Sequence, residues 1–522
     1  MNFPEGLPIG SGWIPAPSTA PVHFPYDGTL VAQAPIGTVD LARLALENAL
    51  SVRAEVGRLP SHVRRRALQG ALSALASQRD AFVDLLVLET GKPLVDCRVE
   101  VERTLLTLET SAEEVARLHG ETVPLDLLPS GDGLQGFWVR KPIGVVVGIT
   151  GFNYPLLLAS HKLAPALAAG CPVIIKPAPQ TPLATLWLVH LVREALVAAG
   201  APAAAVQLVT GGPDVGATLT TDRRIGAVSF TGSAAVGHQI ARDAAPTKVL
   251  LELGSNSALV VAADADLPAA ADAVIRGGYY ASGQACISVQ RVIVLESVRA
   301  AFLAELSSRL DQVVVGDPRD AATRVSALID TRSTTRVRTW IANAITAGAT
   351  LAHPHPETPI LTAPPTPTAP PTPTLPTPAA SAAATYPSTS ETTSASGVQL
   401  IGPTVLLDPP SGPAWDEEIF GPVIAIRSVP DIATAFETVN ASRYGLHASV
   451  FTSSLETAFA AIDQLDVGGV VVNEVPGFRS DVMPYGGVKD SGTGREGPRF
   501  AIEELTTTRM AIIRPKPLPP KP

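Results

Sequence analysis

The stretch that decides the fold is residues 145–180, which read VVVGITGFNYPLLLASHKLAPALAAGCPVIIKPAPQ. A short apolar run at 145–150 predicts a buried strand, and the segment 159–169 predicts a helix that stops at Gly170. A second apolar run follows at 172–176. Continuous apolar strands that alternate with helices indicate a parallel sheet covered on both faces.

The alternation continues on both sides of Glu252. The predicted strands before it are 206–210 and 227–231, with helices at 182–199 and near 213–221. After it the predicted strands are 258–261 and 291–295, the predicted helices are 267–281 and 297–310, and the pattern resumes at 404–407 and runs to 470–473. A chain of 522 residues is too long for one ordinary domain. We therefore predict an α/β protein of two or three domains.

Composition narrows the function classes. The net charge of −9 argues against broad electrostatic binding to nucleic acid or to an anionic membrane. The chain has three cysteines: Cys97, Cys171 and Cys286. A small, odd number of cysteines in a chain of this length does not form a disulfide framework, which indicates a reducing compartment. The N-terminus has no basic region followed by an apolar run, and no window is long and apolar enough to span a bilayer. We predict a cytoplasmic enzyme with no nucleic acid, membrane or metal partner.

One segment interrupts the α/β pattern. Residues 352–398 hold 12 of the 49 prolines, together with many Thr, Ser and Ala. A segment of that composition cannot bury enough apolar surface to pack, so we predict a disordered or polyproline-II-like surface insertion. It is either a tolerated loop expansion or a segment that docks a partner.

Cys286 and Glu252, 34 positions apart, are the candidate chemical pair. A thiol that attacks an electrophile needs a base that activates it or its water. Glu252 stands between Leu251 and Leu253, where a carboxylate is costly to bury without a partner or a task. A pKa raised by burial would suit a general base.

Three further polar positions fall at or just past the ends of predicted strands, where open α/β sheets bind ligands. Asn153 can donate to a developing oxyanion, Lys176 can donate to ribose hydroxyls, and Thr231-Gly232-Ser233 opens a helix whose N-terminus favours a phosphate. Each also has an ordinary structural interpretation: a turn asparagine, a lysine whose stem lies along an apolar surface, and a turn glycine. The spacing after Gly232 is not the G-x-G-x-x-G fingerprint.

Taken together these positions resemble the aldehyde dehydrogenase superfamily over about residues 25–515, apart from the insertion. The motifs that carry the resemblance occur in family order: Phe152-Asn153-Tyr154-Pro155, Lys176-Pro177-Ala178, Phe230-Thr231-Gly232-Ser233, Glu252-Leu253-Gly254, Gly283-Gln284-Ala285-Cys286, Glu418-Ile419-Phe420-Gly421-Pro422 and Pro484-Tyr485-Gly486-Gly487-Val488-Lys489-Asp490-Ser491-Gly492.

The resemblance implies a two-step mechanism. Cys286 attacks the aldehyde carbon, and Asn153 with the Cys286 backbone N–H holds the oxyanion of the thiohemiacetal. Hydride transfer to NAD(P)+ leaves a thioester, which water activated by Glu252 hydrolyses. Lys162 stands at a family lysine position and is expected to assist proton movement.

The resemblance also implies a binding site for NAD or NADP. The implied cofactor residues are Thr150, Gly151, Lys176, Ala178, Pro179, Thr231, Gly232, Ser233, Glu418 and Phe420. Glu418 would hold the nicotinamide ribose, and Phe420 would pack beside the ring.

Two positions depart from the family pattern. Ser255 replaces a glycine that often follows Gly254, so we expect an altered turn after Glu252. Pro179 replaces a glutamate that NAD-preferring members often carry three residues after the lysine. Without that carboxylate, repulsion of a 2′-phosphate is lost, and NADP+ becomes more plausible.

The resemblance further implies a domain organisation. We assign 1–119 and 143–254 to a Rossmann-type NAD(P)-binding domain, 255–454 to an α/β catalytic domain, and 455–489 to a return into the cofactor domain. The last part, 120–142 and 490–522, is assigned to a small β oligomerisation element and a tail. We interpret the β-prone runs within it as edge strands with no partner in their own domain, which predicts a homodimer or homotetramer.

The substrate is less legible than the reaction. Ala285 and Ile287 flank the nucleophile, and Gln290-Arg291 resembles a branch related to lactaldehyde dehydrogenases. Arg103, Arg291 and Arg479 are candidate anion anchors, each with a structural alternative. Two other functions stay open: a coenzyme-A-acylating semialdehyde dehydrogenase, and a catalytically silent scaffold on the same fold.

Overall fold

A computed structural model describes residues 3–352 and 400–515 of the chain. The predicted insertion at 352–398 lies outside the described residues except for Ala352. In chain order the strands are β1 Ser18–His23, β2 Leu30–Ile36, β3 Thr122–Val123, β4 Gln135–Pro142, β5 Val146–Ile149, β6 Val173–Lys176, β7 Val206–Leu208, β8 Ala227–Thr231, β9 Lys248–Glu252, β10 Ala258–Val261, β11 Arg291–Leu295, β12 Thr350–Leu351, β13 Thr404–Leu407, β14 Val423–Val429, β15 Tyr444–Gly445, β16 His447–Phe451, β17 Gly469–Val472, β18 Val488–Lys489, β19 Gly492–Thr493 and β20 Thr506–Ile513.

The helices frame these strands. In chain order they are α1 Val39–Val56, α2 Ser61–Ala76, α3 Arg79–Thr90, α4 Leu94–Glu114, α5 Pro155–Ala169, α6 Leu183–Ala198, α7 Pro213–Thr220, α8 Ala234–Ala244, α9 Leu267–Tyr279, α10 Arg299–Leu310, α11 Thr331–Thr346, α12 Pro413–Asp416, α13 Ile432–Asn440, α14 Leu455–Gln464 and α15 Pro498–Glu504. Among the helices of residues 3–352 and 400–515, none combines the length and apolar character that crossing a bilayer requires.

A six-stranded sheet occupies the first half of the chain, in the order β19-β9-β8-β5-β6-β7. Strands β5 to β9 run parallel, as their apolar sequences predicted. The chain starts at central β5, moves outward through β6 and β7, and then crosses back to place β8 on the other side of β5. The carboxyl ends of β5 and β8 therefore form a topological switch point, which is where open α/β sheets bind ligands.

A seven-stranded sheet follows, in the order β12-β13-β14-β11-β10-β16-β17. Alternate residues of β10 enter different cores: Leu259 and Val261 pack on one face with α9 and α10, whereas Ala258 and Val260 pack on the other with α13 and α14. Burial on both faces explains why this strand is apolar throughout. The predicted α/β class, with two helix-covered sheets, is confirmed.

The strand pairings correct two expectations. Strands β4 and β20 were expected to lack partners in their own domain, but they pair with each other along their whole length in the three-stranded sheet β20-β4-β3. Residues 455–489 were assigned to the cofactor domain, but β17 is the edge strand of the seven-stranded sheet. The chain rejoins the six-stranded sheet only at β19, because Gly492 pairs with Glu252 there.

Candidate active site

A cavity of about 470 Å³ opens beside the switch point of the six-stranded sheet. Nine of the residues that the sequence singled out line it: Gly151, Asn153, Thr231, Gly232, Ser233, Glu252, Cys286, Glu418 and Phe420. The other five, Thr150, Lys162, Lys176, Ala178 and Pro179, are all described but lie outside this lining.

The loop that carries Cys286 is built on an unusual backbone. Ala281, Ser282 and Gly283 take positive φ values of 50°, 55° and 72°, immediately after α9. Left-handed backbone costs a non-glycine residue about 1–2 kcal/mol, so the loop needs external support. At Gly283 the close approach of backbone also matters, because a Cβ there would lie 2.1 Å from the Gly421 carbonyl oxygen.

Hydrogen bonds from three other segments supply that support. The carboxylate of Asp96 on α4 accepts from the Ala281 N–H at 2.9 Å. The Ser326 N–H donates to the Ser282 hydroxyl at 2.9 Å, and the Ile329 N–H donates to the Gln284 side chain at 3.0 Å. The loop before the nucleophile is therefore held in place by the body of the protein.

Cys286 is partly exposed to the cavity, whereas Cys97 and Cys171 are buried. Its Sγ lies 3.3 Å from the Tyr485 hydroxyl. Burial raises the pKa of the thiol to about 12, and the Tyr485 hydrogen bond opposes that shift. In this state the sulfur is a protonated thiol at neutral pH.

Asn153 lies in the turn that leads from β5 into α5. Its Nδ2 donates one hydrogen to the Gln284 carbonyl oxygen at 2.9 Å, which ties the turn to the Cys286 loop. The first N–H groups of α5, at Leu156 and Leu157, donate to the buried Glu100 carboxylate at 3.0 and 3.2 Å. Because only one Nδ2 hydrogen is used by Gln284, the other can meet an oxygen in the cavity.

Glu252 ends β9 and is 7% exposed. Its Oε2 is buried with no hydrogen-bond partner among the described residues. Burial raises the pKa of this carboxyl well above its usual value, and the negative charge of Glu496 adds to the shift. This environment favours the protonated form of the carboxyl over the ionised form.

Glu496 is the opposite case. Its Oε1 lies 3.4 Å from Lys162 Nζ, and its Oε2 lies 3.1 Å from Arg479 Nη2 and 3.2 Å from His161 Nδ1. Burial alone would raise its pKa, but Lys162 and His161 together hold it well below the usual value. Lys162 also donates to the Thr231 hydroxyl at 2.7 Å, so the buried lysine contacts a residue of the cavity wall.

Asp481 extends the same network towards α4. It receives two hydrogen bonds from Arg103, at 2.8 and 2.9 Å, and its Oδ1 lies 3.1 Å from His161 Nε2. Burial opposes ionisation, yet the hydrogen bonds from His161 and Arg103 lower the pKa of Asp481 far below its usual value. The network therefore runs from Arg103, which lines the cavity, through Asp481, His161 and Glu496 to Lys162.

At the far side of the cavity, Glu418 accepts from the Ser255 N–H at 2.9 Å. Burial raises the pKa of Glu418 to about 7. Ser255 does not disturb this contact, because its own hydroxyl turns towards Ser257 at 3.3 Å. The glycine that matters is Gly254, where a Cβ would lie 2.3 Å from Glu418 Oε2.

Comparison with known proteins identifies the family. The family model described as the aldehyde dehydrogenase family matches residues 13–365 and 379–511. The chain belongs to the aldehyde dehydrogenase family. It is 35% identical over 510 residues to a 3-sulfolactaldehyde dehydrogenase of Priestia aryabhattai, covering 97% of this chain and 98% of the relative.

Two further relatives give the same result. The chain is 32% identical to a lactaldehyde dehydrogenase of Methanococcus aeolicus, over 95% of this chain and 97% of that protein. The crystal structure of a glyceraldehyde-3-phosphate dehydrogenase from Methanocaldococcus jannaschii, complexed with NADP, superposes with a TM-score of 0.84 at 29% identity. That match covers 96% of this chain and 100% of the other. As a member of the aldehyde dehydrogenase family, this protein is an oxidoreductase.

The residues of this aldehyde dehydrogenase fit a dinucleotide at the switch point. The Thr150 hydroxyl is buried at the end of β5 without a hydrogen-bond partner among the described residues. Ser233 precedes α8 without capping it through its side chain, which leaves the helix N–H groups open to an anion. Phe420 takes a positive φ of 53° and meets the Phe152 ring edge-on at 5.6 Å, forming an aromatic wall.

Lys176 ends β6 one strand further out. Burial lowers its pKa to about 8, and the charge of Asp214 on α7 opposes that shift. Ala178 is half-buried and Pro179 is exposed beside it. Lys176 thus has a carboxylate nearby, Asp214, although Pro179 stands where the family often has a glutamate.

The aldehyde dehydrogenase site includes residues that the sequence did not single out. Tyr485 lay within a quoted motif, but nothing local indicates its contact with a sulfur 199 positions away. His161 and Glu496 are likewise assembled only by the fold. Of the three candidate anion anchors, Arg103 and Arg479 line the cavity. Arg291 does not, because it is buried and donates to the backbone of Asn256 and Thr438.

Proposed function

We propose that this protein oxidises a short, polar aldehyde to a carboxylic acid through a covalent intermediate on Cys286. The observation that carries the proposal is the convergence of Cys286, Asn153 and Glu252 on one cavity at the dinucleotide end of the six-stranded sheet. A nucleophile, an amide donor and a carboxyl with a raised pKa are the three groups that such a reaction requires.

The first step uses Cys286 and Asn153. The Cys286 thiol first gives its proton to solvent water. The thiolate then forms a bond to the aldehyde carbon, and the carbonyl electron pair moves to oxygen. The second Nδ2 hydrogen of Asn153, which Gln284 leaves free, is placed to hold that oxygen. Removing one such donor typically costs about 10²–10³ in rate.

The bound dinucleotide supplies the hydride acceptor that converts this adduct into a thioester. Glu418 would hold the ribose beside the reacting carbon, and Lys176 would donate to the ribose at the adenine end. Thr231, which accepts a hydrogen bond from Lys162, lies in the cavity wall.

The second step uses Glu252. Its raised pKa and its unpartnered Oε2 suit a group that takes a proton from water as the water attacks the thioester. Glu252 favours hydrolysis over transfer to coenzyme A, since a base that activates water would destroy the thioester before a thiol arrived.

The polar character of the substrate follows from the charges along the cavity. Four arginines line it, Arg103, Arg336, Arg443 and Arg479, against three glutamates, Glu252, Glu417 and Glu418. Burial raises the pKa of Glu252 and of Glu418, so these two carboxyls offset less of the positive charge. The excess positive charge favours a substrate with a hydroxyl or acidic group. Two relatives are named for aldehydes of this kind, 3-sulfolactaldehyde and lactaldehyde.

One experiment tests both the hydrolytic reaction and the preference for a polar aldehyde. Purified protein is given NAD+ or NADP+ with succinate semialdehyde, lactaldehyde and uncharged butanal, with and without coenzyme A, and the products are identified. We expect carboxylic acid in every productive reaction and a kcat/KM at least tenfold higher for the polar aldehydes. Formation of acyl-coenzyme A would overturn hydrolysis, and equal kcat/KM for butanal would overturn the substrate class.

Two variants complete this test. Cys286→Ala should abolish dinucleotide reduction, while Cys97→Ala, at a buried thiol outside the cavity, should retain it. Turnover by Cys286→Ala would refute the nucleophile. Failure of the wild-type protein on a broad aldehyde panel with both dinucleotides would instead favour a silent scaffold.

We further propose a cytoplasmic homodimer or homotetramer. The exposed apolar side chains Leu455, Phe459 and Ile462 share one face of α14, next to the open edge of β17 in the seven-stranded sheet. A second copy that pairs with this edge and covers this face would bury both. Light scattering at micromolar concentration tests it, and a monomer would refute it.

A further inference from the structure

Tyr485 is placed against the nucleophile by backbone geometry. Tyr485 and Glu496 form an antiparallel bridge, with N···O distances of 3.1 and 2.7 Å. The bridge sets the tyrosine beside the ionic network and points its hydroxyl at Cys286 Sγ, 3.3 Å away. The residue is 3% exposed, so its position does not depend on solvent.

The Tyr485 ring is held on two sides. The Arg479 guanidinium lies over one face, 3.8 Å from the ring centroid, and the His447 ring is 5.1 Å away. Arg479 is itself fixed by Glu496 at 3.1 Å. Since a tyrosine hydroxyl lies on the ring axis, holding the ring fixes the hydroxyl, and little freedom is lost when the hydrogen bond forms.

The surroundings of Cys286 otherwise oppose a negative charge on sulfur. Burial is the largest effect that raises its pKa, and the nearby carboxyls of Glu418 and Glu252 raise it further. The Tyr485 hydrogen bond is the largest effect in the other direction, and the charge of Arg479 adds to it. Burial also raises the pKa of Tyr485 well above its usual value, so the hydroxyl keeps its proton to donate.

We propose that Tyr485 is a catalytic hydrogen-bond donor to the Cys286 sulfur that favours the thiolate before it attacks. The inference rests on the proposed role of Cys286 as nucleophile. A thiolate has no hydrogen, so in that state Tyr485 must be the donor. As the sulfur–carbon bond forms, the negative charge passes to the carbonyl oxygen beside Asn153 and the sulfur becomes a weak acceptor.

The size of the effect follows from two opposing terms. A hydrogen bond to a charged group typically changes a pKa by about one unit or more, which is a tenfold change in thiolate fraction. A thiolate of lower pKa is also a weaker nucleophile, by about threefold per unit. Loss of the hydroxyl should therefore slow reactions of Cys286 by about three- to fourfold wherever the thiolate is the minor species.

Alkylation by iodoacetamide measures this without turnover. The rate at the Cys286 peptide is followed by mass spectrometry between about pH 7 and 10, in wild type, Tyr485→Phe and Tyr280→Phe. Tyr280 is the matched control, because its hydroxyl borders the same cavity but is unpartnered among the described residues. We expect Tyr485→Phe to react about three- to fourfold more slowly and Tyr280→Phe to match wild type.

An equal or faster rate in Tyr485→Phe, with an unchanged melting temperature, would overturn the proposal. If that variant melts early, the alkylation rates of wild type and variant, compared at a temperature below the onset of melting, decide instead. A slower rate than wild type supports the donor, and an equal rate refutes it. Neither readout needs a dinucleotide or an aldehyde, so failure of the proposed function would be seen separately.

Discussion

Asp96 offers a test of how the nucleophile loop is held. Its carboxylate accepts a hydrogen bond from the left-handed segment, through the Ala281 N–H at 2.9 Å. Burial raises its pKa from 3.8 to about 6, although the same hydrogen bond opposes the shift. A shift of that size corresponds to about 3 kcal/mol of penalty on the ionised form, an upper bound because the side chain is only part-buried.

The sign of that penalty gives a pH window. The folded-state pKa lies above the unfolded value, so the penalty is absent below about pH 4, grows as the pH rises, and is complete above about pH 6. Asp96→Asn keeps an acceptor for Ala281 and never carries the charge. Relative to wild type it should therefore gain stability between pH 4 and pH 7.5, by about 1–3 kcal/mol.

Asp96→Ala separates the charge from the hydrogen bond. It also removes the penalty, but it leaves the Ala281 N–H without its acceptor, which costs about 1–3 kcal/mol relative to Asn. The loop should then drift, and a misplacement of about 1 Å at the nucleophile can cost about 10²-fold in rate. We expect Asp96→Ala to lose 10- to 100-fold in kcat/KM and Asp96→Asn to stay within about fivefold.

Thermal melts at pH 4.5 and 7.5, with steady-state kinetics at pH 7.5, decide the matter. Asp84→Ala, at an exposed position on α3, is the control for removing an aspartate from this region. If wild type and Asp96→Asn differ by the same amount at both pH values, the buried-charge argument is wrong. Equal kcat/KM in the Asn and Ala variants would refute the role of the Ala281 hydrogen bond.

Three other perturbations address the remaining steps. Glu252→Gln should keep a rapid burst of reduced dinucleotide and then turn over about 10²–10⁴-fold more slowly, as seen by stopped flow, because the base that activates water is gone; loss of the burst would contradict a role in deacylation alone. In the wild type, kcat should rise with pH, since the raised pKa of Glu252 must be passed. Asp214→Asn should lower the ratio of the NADP+ to the NAD+ dissociation constant by about fivefold in fluorescence titrations, since a carboxylate near the ribose repels a 2′-phosphate; an unchanged ratio would remove Asp214 from the site. Gly254→Ala should weaken dinucleotide binding at least tenfold, because its Cβ would lie 2.3 Å from Glu418 Oε2, whereas Gly12→Ala, in open space, should not.

The fold was readable because its signals are local. The period of the apolar pattern gave the parallel strands, and glycine stops gave helix ends such as Gly170, which takes a φ of 86°. The membership of edge strands was not readable in this way. β17 is a short apolar run like those of the six-stranded sheet, and only long-range pairing with β16 assigns it to the seven-stranded one.

The site divides along the same line. Asn153, Glu252 and Cys286 stand in short motifs at predicted strand or helix ends, so their convergence on one cavity could be expected from the sequence. Tyr485 could not be assigned a partner, because its contact with Cys286 depends on the bridge to Glu496 rather than on any local pattern. Pro179 indicated that the glutamate common in NAD-preferring members is absent near Lys176. The sequence did not indicate that Asp214 lies near this lysine.

Two carboxyl groups, Glu252 in the cavity lining and Glu496 behind it, illustrate how one fold can keep a base and a fixed charge side by side. The negative charge of Glu496 makes ionisation of Glu252 more costly. Lys162, Arg479 and His161 all contact Glu496, so the negative charge settles there. Arg479 and Lys162 also act on Glu252, but burial outweighs them and its pKa stays raised. Since environments that push two carboxyl pKa values apart define acid–base roles, this arrangement supports the proposed proton transfer by Glu252 and leaves Glu496 as the anion that contacts Lys162.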